Sequence, residues 1–329
     1  MKKTVLSAVA ATALLAGAAA EAQTELRYAT AAPENTPWGV FLKQTIADVE
    51  KAAPDLKIKP FYSSQLGDEQ TVIRQVVRGR IDMSGQSGVA TSLLVPEFAL
   101  LSAPYLFKDA AQSDCVFDNH VRPIFEQYMN DSGLITISWV EVGHSYISAK
   151  KPIVTPDDAQ GFKMRIPPTR ATALFWTEAG VNGVPMGVVD MVPALKTGQV
   201  NGIQTSTVYG IAIGLPKLAP HTIVGKFTHD IGTVTVSKKV WDKLKPEHQK
   251  AIKLIDARVD DLRKAIRGAE VGLLAKVEKA GAPVYRLTPE QIAQWKKFAE
   301  PASLKLIDEI GGKAPEIWKQ IQTAKQKCS

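Results

Sequence analysis

Gly161-Phe162-Lys163-Met164-Arg165-Ile166-Pro167, followed by Gly183-Val184-Pro185-Met186 and by Ala194-Leu195-Lys196-Thr197-Gly198-Gln199-Val200-Asn201-Gly202, is the most informative part of this 329-residue chain. Arg165 falls within a short apolar run that reads as a strand, so its guanidinium is carried on a rigid element at or near the interior. A cation held away from water needs an anion. That anion is either an internal Asp or Glu, or a ligand.

On both sides of this stretch the chain alternates strand and helix patterns, the signature of an α/β fold with a mainly parallel sheet covered by helices. Glu25 to Thr30, Leu56 to Tyr62 and Ile81 to Ser84 read as strands. Between them, Asn35-Thr36-Pro37 starts a helix with Trp38, Phe41, Leu42, Thr45 and Val49 on one face, and Asp68 to Arg78 forms another, closed by Gly79. Leu134 to Glu141, Ser145 to Ala149, Phe162 to Ile166 and Thr233 to Ser237 are further strands. About 300 residues are too many for one ordinary core. The expected architecture is two lobes, with residues 23–143 and 232–268 in lobe I and 144–231 and 269–329 in lobe II.

Pro246 to about Gly281 contains no internal proline, and Ile255, Val259, Leu262, Ile266, Ala269, Leu273 and Val277 recur at helical spacing. The spacing predicts one helix on the order of 50 Å long, enough to cross both lobes. Thr288-Pro289-Glu290-Gln291 caps a further helix ending near Gly311-Gly312, and Pro315 to Lys327 is the last.

Residues 1–22 read as a cleavable export signal: Lys2 and Lys3 precede an apolar run, and Ala20-Glu21-Ala22 ends it with small residues. The expected compartment is the periplasm. The whole-chain charge is +7, and it falls by one when the leader, with two lysines and one glutamate, is removed. Lysines spread over amphipathic helices, with no basic stripe interleaved with aromatics, argue against nucleic acid as a partner. His120, His144, His221, His229 and His248 are scattered, so no metal or other cofactor is expected. Gly85-Gln86-Ser87-Gly88 lacks the Gly-x-Ser-x-Gly elbow of a hydrolase, and the chain is not expected to be an enzyme. Cys115 and Cys328 could pair in an oxidising compartment if their Cα atoms come close enough.

Several spaced motifs then agree in order: Ser63-Ser64-Gln65-Leu66-Gly67-Asp68, Val95-Pro96-Glu97-Phe98, Ala103-Pro104-Tyr105-Leu106-Phe107, Lys151-Pro152-Ile153, Gly161 to Pro167, Pro185-Met186 and Ala194 to Gly202. Together they resemble the solute-binding component of a tripartite ATP-independent periplasmic (TRAP) transporter, of the C4-dicarboxylate-binding (DctP) type. The resemblance covers essentially the whole exported chain. It implies a two-lobed periplasmic binding protein that closes on a small organic acid and delivers it to TRAP membrane permease subunits. A binding protein for an ATP-driven importer, or a sensory receptor, would share the same two-lobed physics.

The resemblance also implies that Arg165 forms a salt bridge with the ligand carboxylate, a role that a planar guanidinium suits. Departures narrow the ligand. Ser145 stands where many members carry a second arginine, Thr205 replaces a usual asparagine, and Gly187-Val188-Val189 replaces an aromatic. A monocarboxylate, or a small acid with an uncharged remainder, is therefore expected over a dicarboxylate or sugar acid. Candidate ligand contacts are Arg165, Gln86, Ser87, His144, Ser145, Tyr146, Trp139, Val188, Gln204, Thr205, Asn35 and Trp38. Trp139 reads equally as core, His144 as a strand end at the surface, and Asp68 as a helix cap.

Overall fold

The computed structural model describes residues 23–328; the expected export signal, residues 1–22, lies outside them. The strands are β1 (Thr24–Thr30), β2 (Leu56–Phe61), β3 (Met83–Ser87), β4 (Leu134–Ala149) and β5 (Lys163–Ile166). They continue with β6 (Asn182–Pro185), β7 (Gly202–Ser206), β8 (His221–Val224), β9 (His229–Ser237) and β10 (Val284–Arg286). All join one mixed sheet whose main path runs β2-β1-β3-β9-β4-β7-β5-β6, with β8 beside β4 and β10 beside β8.

The sheet has two halves that share a single strand. Residues Leu134 to His144 of β4 pair antiparallel with β9, while Ser145 to Ala149 pair antiparallel with β7 and in part with β8. The sequence reading split this strand in two. It is in fact continuous over 16 residues, bent by register shifts between Thr136 and Ser138 and between Glu141 and Gly143. Such bulges turn a strand without ending it. Gly143 sits at φ +97°, and a Cβ there would come within 2.6 Å of Glu270 Oε1. Only glycine combines that backbone with so close an approach of the crossing helix.

That helix differs from the expectation of one unbroken element. Helix Pro246–Ile252 passes into a tighter 3₁₀ segment, Lys253–Arg258, and then into the 21-residue helix Val259–Lys279. The tightened turns carry ties to neighbouring elements: Asp256 accepts from Ser138 Oγ at 2.8 Å and pairs with Arg122, and Arg258 pairs with Asp48. Gly268 and Gly272 lie inside Val259–Lys279 without breaking it. At about 1.5 Å per residue this helix is about 32 Å long, and it reaches β4 and, at its far end, β10.

The helix opened by Thr288 also divides, into Pro289–Lys296 and Ala299–Ile310. Pro301 has no N–H to continue the ladder from Lys297, so a new helix must start there. The last helix, Ala314–Lys327, is fastened to helix Ala110–Val116 by a Cys115–Cys328 disulfide, with Cα atoms 5.8 Å apart. Among the described residues no helix is long and apolar enough to cross a membrane.

Two main cores pack against the sheet, and the larger one spans both halves. Leu26, Phe41, Leu42, Leu56, Val234, Leu262 and Ile266 close one core beneath β1, β2 and the β4–β9 pair. A larger core joins Phe98, Phe125 and Trp139 to Phe175, Trp176, Phe227 and Trp295. In it the Trp139 ring stacks on Phe98 with centroids 5.5 Å apart, and Trp176 meets Trp295 edge-on at 5.4 Å.

Candidate functional site

The carboxyl ends of β1, β3, β5 and β7 and the middle of β4 open onto one cavity, with about 1070 Å³ of empty space including its mouth. Ligands of open α/β sheets bind at such strand ends. Arg165 on β5 lines it and is only 2% exposed. Its Nε donates to Met186 O at 2.9 Å and its Nη1 to Gln204 O at 2.6 Å. Two backbone carbonyls thus fix the guanidinium plane, and Nη2 has no acceptor among the described residues. Asp68, Glu69 and Asp230 act on Arg165 only through space, none as a hydrogen-bond partner. Burial lowers its pKa to about 10, which still leaves it cationic at neutral pH. The internal ion pair left open by the sequence is not formed among the described residues.

The other side of the cavity comes from β3 and the helix Glu69–Val77. Gln86 is buried; its Oε1 accepts from Ser84 Oγ at 3.1 Å, and its Nε2 has no partner among the described residues. Ser87 donates through N and Oγ to the two Glu69 oxygens at 2.7 and 2.8 Å. Burial raises the Glu69 carboxyl despite those two donors. Asp68 does cap the helix, accepting from Gln70 N at 3.2 Å through Oδ1, but its Oδ2 is buried and has no hydrogen-bond partner among the described residues. That oxygen lies against Gly187, where a Cβ would come 2.2 Å from it.

Asp230 on β9 accepts from Thr228 Oγ1 at 2.9 Å, and burial raises its carboxyl to about 6. Tyr209 is pushed up to about 12, mainly by burial and also by Glu69. It remains a hydroxyl donor. Trp38 lines the cavity with its Nε1 donating to Glu141 O at 2.9 Å, beside Val188 and Thr205.

Of the residues proposed from sequence, Arg165, Gln86, Ser87, Val188, Thr205 and Trp38 therefore meet around one space. The rest do not line it. Asn35 is exposed. Trp139 is core, and Tyr146 is fully buried with its ring against Gly210. Ser145 Oγ accepts from Thr228 N, Thr228 Oγ1 and Gln204 Nε2 at 3.1, 2.8 and 3.2 Å, and Gln204 Oε1 accepts from Trp176 Nε1 at 2.7 Å. Both polar side chains are occupied. His144 pairs with Glu270 at 3.2 Å and stacks on His229, behind the cavity. Thr30, at a strand end, lines the space, as do Tyr28, Phe41, Leu42, Tyr209 and Asp230, which were not singled out as ligand contacts from sequence. Tyr28 and Thr30 end a strand at the sheet's carboxyl edge, which was the one available signal.

Similar proteins have this architecture. A solved structure of the sugar acid binding protein DctPAm from Advenella mimigardefordensis, in complex with galactonate, superimposes with a TM-score of 0.88 at 22% identity, covering 93% of this chain and 98% of that one. A solute-binding protein of Verminephrobacter eiseniae is 26% identical over 254 residues, 74% of this chain and 76% of its own length. The C4-dicarboxylate-binding periplasmic protein DctP of Rhodobacter capsulatus is 23% identical over 262 residues, 79% and 78% of the two chains. The family model "Bacterial extracellular solute-binding protein, family 7" matches residues 28–309, nearly all of what the structure describes. With the two-part sheet, the crossing helix and the arginine on β5 already in place, the chain belongs to that family, the DctP-type solute-binding proteins of TRAP transporters.

Proposed function

We propose that this protein captures a small organic acid in the periplasm and hands it to a TRAP membrane permease, with Arg165 as the carboxylate anchor. The carrying observation is a guanidinium 2% exposed, oriented by two carbonyls and paired with no acid among the described residues, at the wall of a cleft. A ligand carboxylate reaching Nη2 would supply the missing anion. Burial in the closed site strengthens that pairing by lowering the local dielectric.

Residues 23–143 and 232–268 act as lobe I and 144–231 and 269–329 as lobe II in this reading, with β4 and β9 passing between them. Gln86, Ser87 and Trp38 contact the ligand from the first lobe, and Val188 and Thr205 from the second. Binding without catalysis fits the site, because its one serine hydroxyl on the first-lobe wall, Ser87, is held by a carboxylate rather than by an imidazole. The test is calorimetry with a panel of organic acids. Arg165→Ala is expected to weaken carboxylate binding by roughly 2 to 4 kcal/mol, the scale for removing one partner of a desolvated charge pair. Unchanged affinity in the variant rejects the assignment.

A further inference from the structure

The cavity reaches well past Arg165. Its inner wall in the first half of the sheet is made by Tyr28, Phe41, Leu42, Val140, Val234 and Leu262. These six are 1–7% exposed and belong to the hydrophobic core of that half. Each therefore shows the cavity only an edge, and together these edges form a shallow hydrocarbon recess backed by a close-packed core. Hydrocarbon walls hold water poorly, since a buried water needs two to four polar partners. The wall offers one, the Tyr28 hydroxyl, which lies over Gly85 and hydrogen-bonds to no described residue; a Cβ at Gly85 would come 2.3 Å from it.

The acidic groups lining the cavity select against a second negative charge on the ligand. Beside Arg165 stand Asp68, Glu69 and Asp230. A second carboxylate on the ligand would meet like charge, which is unfavourable at short range in a low dielectric. A polyhydroxy body would place hydroxyls against the recess, and each one left there without a partner is unfavourable.

We propose that the ligand is a monocarboxylate with a hydrocarbon body, aliphatic or aromatic, whose carboxylate sits on Arg165 and whose body fills the recess lined by Phe41, Leu42, Val140, Val234 and Leu262. This rests on the carboxylate reading of the cleft and narrows it to a substrate class. The test is calorimetry on the purified protein with acetate, butanoate, hexanoate and phenylacetate, beside galactonate, glucuronate and succinate. Affinity is expected to rise about fourfold per added methylene until the recess is filled. Phenylacetate should exceed acetate by at least a hundredfold, and the sugar acids and succinate should bind more weakly than hexanoate. Arg165→Ala should lower all the monocarboxylates by the same factor and keep the chain-length slope. A flat slope, or tighter binding of galactonate, glucuronate or succinate, overturns the hydrocarbon body and leaves the carboxylate site standing. Binding of no acid, or an Arg165→Ala variant that binds as the parent does, overturns the underlying reading as well.

Discussion

Asp230 shares the cleft with Arg165, yet burial holds its carboxyl at about 6, against about 3.9 in an unfolded chain. Because the folded value is the higher one, protonation favours the native state. That contribution is complete below about pH 4 and is lost as pH rises through about 6. Lowering the pH from 7.5 to 5 should therefore raise the parent's stability more than that of Asp230→Asn. The variant should melt a few degrees above the parent at pH 7.5, and that gap should narrow to about half at pH 5, by calorimetric melting. The same proton removes a repulsion towards an anionic ligand. Titrations at pH 6.5 in buffers of different ionisation enthalpy should show net proton uptake on binding, and Asp230→Asn should abolish it. Arg165 could be picked out in advance because it stands between the apolar Met164 and Ile166 in the Gly161–Pro167 motif. Ser145, Tyr146 and Gln204 could not be sorted in the same way. Strand alternation places a side chain on one face or the other, but only contacts far along the chain, such as Thr228 on Ser145, decide whether that face is core or cleft.

At the level of elements, strand and helix identities were legible wherever a cap or a period was strong. Thr36 accepts from Gly39 N, and Thr288 with Gln291 forms the reciprocal capping box. What stayed hidden were departures imposed by neighbours. Six residues of 3₁₀ geometry at Lys253–Arg258 have nearly the same apolar spacing as an α-helix, and the tie of Asp256 to Ser138 spans 118 positions. The continuity of β4 was masked by Gly143, which reads as a break until the crossing helix is seen to require it. The disulfide closes a separation of 213 residues. Cys328→Ser is expected to destabilise the protein by about 2–4 kcal/mol in denaturant titration. Its ligand affinity should be unchanged, because neither cysteine lines the cleft. A loss of binding in that variant would show that the C-terminal helix shapes the site.

On the scale of the whole molecule, the sheet's two halves are joined by their shared strand β4 and bridged by the helix Val259–Lys279. A ligand that touches both halves favours the arrangement in which all its contacts form at once. Small-angle scattering should show the radius of gyration falling when a bound acid saturates the protein. Arg165→Ala should give no such compaction at the same acid concentration. A radius indifferent to ligand in the parent would argue for a rigid receptor instead.

Gly187 offers a mechanical handle on that motion. Its missing side chain is the space into which Asp68 Oδ2 fits, so a single methyl there acts as a doorstop. To make room, the Asp68 carboxylate would have to swing aside and release its hold on Gln70 N, or the mouth would have to stand ajar. Gly187→Ala should keep every anion contact on β5 and still bind its acid about tenfold more weakly, visible in calorimetry. Such a propped form would trap the receptor in the posture it holds before its cargo is sealed in.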